Sequence, residues 1–310
     1  MKNGEGRLPR FRQEREAIRV IELTPRDREI IRQVARFRFL RSTQIQRLVE
    51  GAPVQLLRRL QALYHHGWLD RPRCQIDFFH RGGGSRPMAY GLGSRGVALM
   101  RREYDVPFSK MVWGRGGKDV GRLFLDHTLM VAEVLIAIER ACQQSEGGVR
   151  FLPSEELEAA SKTREPFHWT ATVKDRRVGL VPDAVFALEF AAAPEVSRRV
   201  ICCLEADRGT MPVTRRSRHL SSIARKLSAY AALWKARSFE KRFGTKRLIV
   251  ITVTTSSERV KTIAGSVAQL PHGQGLFATF TQDEVCPDAA CILERCAPSA
   301  AGQGERSLIP

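Results

Sequence analysis

The fold of this chain is decided by LVPDAVFALEF (residues 180–190) and RRVICCLEADRGT (residues 198–210). Both stretches contain apolar, β-branched and aromatic runs of strand length, so we predict two β-strands. Alternate residues of a strand share a face, which puts Glu205 and Asp207 on the same side of the second strand. If the two strands pair, Asp183 joins these two acids at one end of a sheet.

Three carboxylates at such close range repel one another unless one takes a proton or a cation lies between them. Oxygen ligands of this kind suit Mg²⁺ or Mn²⁺. The alternative is that the acids solvate the strand ends and cap the turn before Arg208 and Gly209. The spacing alone favours neither interpretation, so we keep both.

The charge balance indicates a polyanionic partner. The chain carries 51 Lys and Arg against 33 Asp and Glu, a net charge of +18. Residues 1–120 hold 25 of the basic and 12 of the acidic residues. Such an excess most often serves nucleic acid, so we expect a double-stranded DNA partner and a mainly N-terminal contact surface.

The composition also predicts where the protein works. We expect no membrane partner, because no run of about 18 apolar residues is present, and no signal peptide, because the N-terminus lacks an apolar core. Seven cysteines without a paired framework are typical of reduced thiols, which predicts a cytoplasmic protein. The even spacing of Cys286, Cys291 and Cys296 leaves a zinc site as a weaker alternative.

Residues 1–20 are predicted to form a basic arm, and residues 21–105 a winged helix-turn-helix domain. Three short helices are expected, and the third follows Pro53 in VQLLRRLQALYHHG. Leucines 56, 57, 60 and 63 are expected to face the interior. The outer face then carries the predicted DNA-binding side chains Gln55, Arg58 and Arg59.

A β-hairpin with the glycine-rich tip HRGGGSRP follows the third helix. Its basic residues Arg81 and Arg86 suit contacts to phosphates, while the third helix would enter the major groove. A small helical domain for protein contacts is the alternative. The charge excess favours DNA.

Residues 106–122 are expected to be a linker, residues 123–283 an α/β domain with a mixed sheet, and residues 284–310 a poorly ordered tail. The fold class is therefore α/β, or α+β overall. Glu133 stands alone in an apolar helix, which is costly unless it is paired or binds a metal. A later helix carries Lys226 one turn before Tyr230.

The second domain resembles the PD-(D/E)XK nuclease superfamily through Asp183 after Pro182, Glu205-x-Asp207, and Glu133 on the preceding helix. The whole chain resembles the replication-relaxation family, in which seven segments recur in this order: TPRDREI, RRLQALYHHGWLDR, AYGLGSRG, DHTLMVAEV, VPDAVFAL, LEADRGT and KLSAY. The resemblance implies a DNA-binding protein connected with plasmid or mobile-element replication or mobilisation, with partners among replication or mobilisation proteins.

The resemblance to the nucleases implies metal ligation by Asp183, Glu205, Asp207 and Glu133. Asp207, however, occupies the place where these nucleases carry a lysine, and an acid there supplies no positive charge. Lys226 is the replacement that the resemblance suggests. Lysines on helix flanks mostly lie along the surface, so we expect Lys226 to pack past Leu227 instead.

Two functions from different classes therefore remain open. The first is a DNA-binding factor whose α/β domain is a degenerate nuclease fold. The second is a Mg²⁺-dependent DNA nuclease or nickase in which Asp183, Glu205, Asp207 and Lys226 are catalytic.

Overall fold

The computed structural model describes residues 9–14, 21–76, 86–104, 120–161, 163–209, 213, 222–286 and 289–298. The chain forms two compact units, Met1–Ile136 and Ala137–Pro310. The predicted linker at 106–122 is described only from Val120 onward, and the predicted tip residue Arg81 lies outside the described residues. The division into units falls later than the predicted linker, inside a long helix.

The first unit contains the three predicted helices, and a short strand that was not predicted lies between the first two of them. Its elements are α1 (Pro25–Phe37), β1 (Leu40–Arg41), α2 (Ser42–Leu48), α3 (Pro53–His65), β2 (Leu69–Asp70), β3 (Ala89–Leu92) and α4 (Ser94–Tyr104), followed by the start of α5 (Arg122–Gln144). The three described strands form an antiparallel sheet in the order β1-β3-β2.

The helix boundaries of this unit follow from its sequence. Thr24 caps α1, with its hydroxyl accepting a hydrogen bond from the backbone N–H of Asp27 at 3.2 Å, and Pro25 occupies the first helical turn. Apolar residues at helical spacing then face inward. The core takes Ile30, Ile31 and Val34 from α1, and Leu56, Leu60 and Leu63 from α3.

The second unit is built on a mixed sheet. Its elements after α5 are β4 (Val149–Leu152), α6 (Ser154–Ala160), β5 (Trp169–Val173), β6 (Arg176–Leu180), β7 (Ala184–Phe190), α7 (Glu195–Arg198), β8 (Arg199–Asp207), α8 (Ile223–Lys235), α9 (Ser238–Phe243), β9 (Leu248–Thr254), α10 (Ser257–Ala268), β10 (Phe277–Thr281), α11 (Gln282–Val285) and α12 (Ala290–Cys296). The predicted α+β class is confirmed.

Five described strands form the main sheet, in the order β10-β9-β8-β7-β4. β7 runs antiparallel to both β4 and β8, whereas β8, β9 and β10 are parallel. One face of β8 packs against α8, with Ile201, Cys203, Leu227 and Tyr230 in the same core. Glu205 and Asp207 lie at the end of that face. The packing of α8 against β8 therefore determines which side chains these two acids contact.

The polar stretch after Pro153 forms α6, which buries Leu157. One part of the second unit differs from the prediction. The segment expected to be a poorly ordered tail contains α12, and Ile292 and Cys296 of α12 are fully buried. The sequence around α12 is short and punctuated by prolines, so its burial depends on contacts that only the folded sheet provides.

None of the helices in the described ranges combines the length and the apolar composition that a membrane crossing requires.

Candidate functional site

The outer face of α3, defined here as Val54, Gln55, Leu57 and Arg58, is exposed. Two of the predicted DNA-binding residues, Gln55 and Arg58, therefore lie where the sequence placed them. Leu57 was predicted to face the core but is 45% exposed. Leu56, Leu60 and Leu63 form a buried stripe along α3, and Leu57 lies at the edge of that stripe, about a quarter turn around the helix from it.

Arg59 differs from its neighbours because its guanidinium is engaged inside the unit. Its Nε donates to Oδ1 of Asp27 at 2.7 Å, and its Nη2 donates to Oδ2 of Asp27 at 2.5 Å and to the carbonyl of Glu22 at 2.6 Å. Asp27 is fully buried. This bidentate pair joins α3 to α1, so Arg59 has a structural role in the described unit.

Asp27 holds its negative charge through these contacts. Burial acts to raise its pKa, but the hydrogen bonds from Arg59 and Thr24 outweigh burial, and the pKa of Asp27 is lowered from 3.8. A carboxylate whose pKa is lower in the folded protein than in the unfolded chain stabilises the fold at pH values above its unfolded pKa. That contribution is lost as the pH falls through the lower, folded value.

We expect Asp27→Ala to lower the free energy of unfolding at pH 7 by about 2 kcal/mol, because it removes the charged hydrogen bonds from Arg59 and the Asp27 half of the capping box with Thr24. The difference from wild type should shrink as the pH falls below 3.8, where Asp27 of the unfolded chain takes up a proton, and should vanish below the lower pKa that Asp27 has in the folded protein. Urea unfolding at pH 7 and at pH 3 measures both effects. Glu29→Ala on the same helix is the control, since its partly exposed pair with Arg32 should contribute less than about 1 kcal/mol. Equal losses for both variants would contradict the account.

Glu133 on α5, predicted as a metal ligand, has partners within the first unit. It forms an ion pair with Arg47 of α2, and Nε2 of Gln44 donates to its Oε2 at 2.8 Å. These contacts compensate the partial burial of a carboxylate in an apolar helix. Arg86, at the other predicted contact site, is exposed just before β3.

In the second unit, the pairing of β7 with β8 brings Asp183 opposite Glu205. The backbone N–H of Asp183 donates to the carbonyl of Leu204 at 3.0 Å, and Oδ2 of Asp183 accepts from the N–H of Ala206 at 2.8 Å. We call Asp183, Glu205 and Asp207 the carboxylate cluster.

Glu205 is the buried centre of a three-residue network. Its Oε2 accepts from Nζ of Lys226 at 2.5 Å, and its Oε1 accepts from the hydroxyl of Tyr230 at 2.7 Å. The expectation that Lys226 lies along the surface is therefore wrong. One helical turn separates Lys226 from Tyr230, so both side chains of α8 reach the same carboxylate.

The network changes the protonation of its members. Burial raises the pKa of Glu205; the Lys226 ammonium acts in the opposite direction, and the Asp183 carboxylate adds to the rise. Burial acts to lower the pKa of Lys226, but the Glu205 carboxylate outweighs it, and the pKa is raised. Burial also raises the pKa of Tyr230 well above its usual value. Lys226 therefore keeps its proton at neutral pH.

Asp207 has a separate set of partners. Arg259 of α10 donates from Nε to Oδ2 at 2.6 Å and from Nη2 to Oδ1 at 3.1 Å. The hydroxyl of Thr254 donates to Oδ2 at 3.0 Å, and the N–H of Gly209 donates to Oδ1 at 3.1 Å. Sequence reasoning missed Arg259 and Thr254. The sequence places Arg259 in the first turn of a helix after the strand beside β8, but that position does not identify Asp207 as its partner.

Among the described residues, no group of three or more His, Cys, Asp or Glu side chains is arranged to hold a metal ion. Metal binding by Asp183, Glu205, Asp207 and Glu133 together therefore stays a prediction. Two of the cysteines considered for zinc, Cys291 and Cys296, contact different groups. Sγ of Cys296 lies 3.9 Å from Sγ of Cys202, whereas Sγ of Cys291 contacts the carbonyl of Glu284 at 3.8 Å.

A family model described as replication-relaxation matches residues 31–249, more than two thirds of the chain. The chain belongs to the replication-relaxation family. A search of curated proteins and a search of solved structures each found no match. Membership of this family supports a role connected with replication or mobilisation.

The match to the replication-relaxation family covers both candidate regions. It includes the outer face of α3, the carboxylate cluster and Lys226. Two of the partners described above, Asp27 and Arg259, lie outside the matched residues. Each of these outlying residues forms a bidentate ion pair with a residue inside the match, Arg59 and Asp207 respectively.

Proposed function

We propose that this replication-relaxation protein is a DNA-binding factor in plasmid or mobile-element replication or mobilisation, and that its first unit is a winged helix-turn-helix. The observation that carries the proposal is the exposed outer face of α3, which presents Arg58 and Gln55 from the N-terminal half of the helix. In helix-turn-helix proteins, the corresponding part of the recognition helix contacts base edges in the major groove.

The order of elements and the charge support this assignment. Three helices are followed by strands β2 and β3, which pair as the base of a hairpin. The helix α3 contains no acidic residue, and residues 1–120 carry a clear excess of Lys and Arg. An exposed arginine matches the paired acceptors of guanine, and an exposed glutamine matches adenine.

We expect Arg58→Ala to weaken binding to duplex DNA by about tenfold or more, because it removes either a base contact or a phosphate contact. Fluorescence anisotropy with a labelled duplex at fixed salt measures the change. Arg177→Ala is the matched control: it removes the same charge from an exposed position on β6 in the second unit. Equal weakening by the two variants would show that the loss of affinity reflects net charge alone, and it would contradict a DNA contact by α3.

A second candidate function is favoured by the position of Lys226. We propose as the alternative that the second unit is a PD-(D/E)XK-like nuclease domain in which Lys226 replaces the lysine missing at Asp207. The helix α5, the antiparallel strands β4, β7 and β8, the helix α8 and the parallel strand β9 follow the order expected for that superfamily. Because its pKa is raised, Lys226 would stabilise negative charge on phosphate rather than act as a base.

The donors that suit Mg²⁺ or Mn²⁺ in this alternative are Asp183 and Glu205. Mg²⁺ is commonly held by one or two carboxylates together with substrate phosphates, so two acids are sufficient. When bound, the metal would supply Lewis-acid stabilisation and an activated water. Asp207 and Glu133 are assigned to their ion pairs with Arg259 and Arg47.

Incubation of supercoiled plasmid with the protein in Mg²⁺, Mn²⁺ or EDTA tests the alternative. If it is correct, Asp183→Asn should slow metal-dependent nicking by about a hundredfold or more, with DNA affinity retained. Asp175→Asn, an acid in the exposed turn between β5 and β6, is the control. The absence of nicking by the wild-type protein in either metal would refute the nuclease alternative for the isolated chain.

A further inference from the structure

The outer face of α3 contains two large apolar side chains beside its polar ones. Val54 is 61% exposed and Leu57 is 45% exposed. Residues 57 and 58 follow residue 54 by three and four positions, so Val54 is a neighbour of both Leu57 and Arg58 on the helix surface. Arg58 therefore lies next to an exposed apolar pair, at the N-terminal end of the helix.

Packing among the described residues of the first unit does not account for this pair. There, the core contacts of α3 are made by Leu56, Leu60, Leu63 and Tyr64, each of them buried. A single exposed apolar residue needs no explanation, but two adjacent ones in the proposed recognition surface do. The exposed parts of these two side chains stay in contact with water unless a partner covers them.

Duplex DNA offers an apolar group that suits these side chains. In the major groove, thymine displays its 5-methyl group beside hydrogen-bonding atoms of the other bases, and alkyl side chains contact it. Arg58 and Gln55 provide hydrogen bonds on the same helix, which has no acidic side chain to repel phosphate. Charge complementarity thus favours DNA over a protein partner for this face.

We propose that Val54 and Leu57 recognise thymine methyl groups, so that the preferred site contains thymine next to a guanine or adenine read by Arg58 or Gln55. This inference rests on the proposed DNA-binding function. It assigns to the two apolar residues a role in sequence preference, separate from the general affinity that basic residues provide.

The experiment begins with selection of duplexes from a random library by the full chain. The best duplex is then prepared with uracil in place of each thymine in turn, which removes only the methyl group. We expect uracil at one or two positions to weaken wild-type binding about fourfold per methyl group. The Val54→Ala, Leu57→Ala double variant should bind the thymine and uracil duplexes equally well.

Val196→Ala, which truncates a valine that is 89% exposed in the second unit, should keep the wild-type preference for thymine. Circular dichroism of the double variant checks that it remains folded. Equal wild-type affinity for thymine and uracil at every position would overturn this inference alone. Failure to select any duplex would overturn the DNA-binding function itself. A double variant that changes oligomeric state but keeps the thymine preference would identify a protein interface and also overturn the inference.

Discussion

Raising the salt concentration from about 50 to about 200 mM is expected to lower the affinity for duplex DNA by about a thousandfold. A protein that neutralises about six phosphates releases the counterions condensed on them, and each released ion adds to the salt dependence. The excess of basic residues within residues 1–120 is large enough for that number of contacts. Anisotropy titrations at four or more salt concentrations give the slope of log K against log salt.

The same titration should show tight binding and a steep slope in EDTA, because the proposed binding needs no metal. Arg58→Ala should reduce the slope by about one if Arg58 contacts a phosphate, and leave it unchanged if Arg58 contacts a base. An affinity that is independent of salt would exclude a phosphate-dominated interface.

The second large effect concerns the stability of the second unit. Lys226→Met is expected to lower the free energy of unfolding by about 3 kcal/mol at pH 7, because it leaves the buried carboxylate of Glu205 without its cation. Glu205 can escape this penalty by taking a proton, at a cost of about 1.4 kcal/mol per pH unit above its unfolded pKa. The loss of stability caused by Lys226→Met should therefore be smaller at pH 5 than at pH 7.

The smaller loss of stability at pH 5 follows from the raised pKa of Glu205. A carboxyl group whose folded pKa lies above its unfolded value stabilises the fold most at low pH, and this contribution is lost as the pH rises through the folded value. Removing Lys226 raises that folded pKa further. Urea unfolding at pH 5 and pH 7 measures the difference.

Two further variants separate the ion pair from other effects. Lys235→Met, at an exposed position of the same helix, should change stability by less than about 0.5 kcal/mol. The double variant Lys226→Met, Glu205→Gln should recover most of the lost stability, since a neutral amide oxygen still accepts the hydrogen bond from the hydroxyl of Tyr230. A double variant as unstable as Lys226→Met would show that Lys226 stabilises the unit through packing.

The sequence predicted the parts of the fold that depend on local pattern. The runs at 180–190 and 198–210 contain adjacent strands, and the acid at Asp183 meets Glu205 because the register of an antiparallel pair follows from the alternation of its faces. The third helix, with Gln55 and Arg58 outside, was likewise readable from apolar spacing.

Partners far apart in the chain were not predictable in this way. Arg259 reaches Asp207 across 52 positions, and Arg59 reaches Asp27 across 32. No local pattern indicates that an arginine on a helix will turn toward a particular carboxylate. The contact of Lys226 was not predictable for the same reason. Helix spacing places Lys226 beside Leu227, but only the packing of α8 on β8 brings its ammonium group to Glu205.

Photocrosslinking tests the central claim, that α3 contacts DNA, most directly. The photoreactive residue p-benzoylphenylalanine replaces either Gln55 on the outer face of α3 or Arg177 on β6, and each variant is irradiated with labelled duplex DNA. We expect a strong crosslink from position 55 and little from position 177. Crosslinking from position 177 alone, or equal yields from both positions under conditions where the duplex is bound, would contradict recognition by α3.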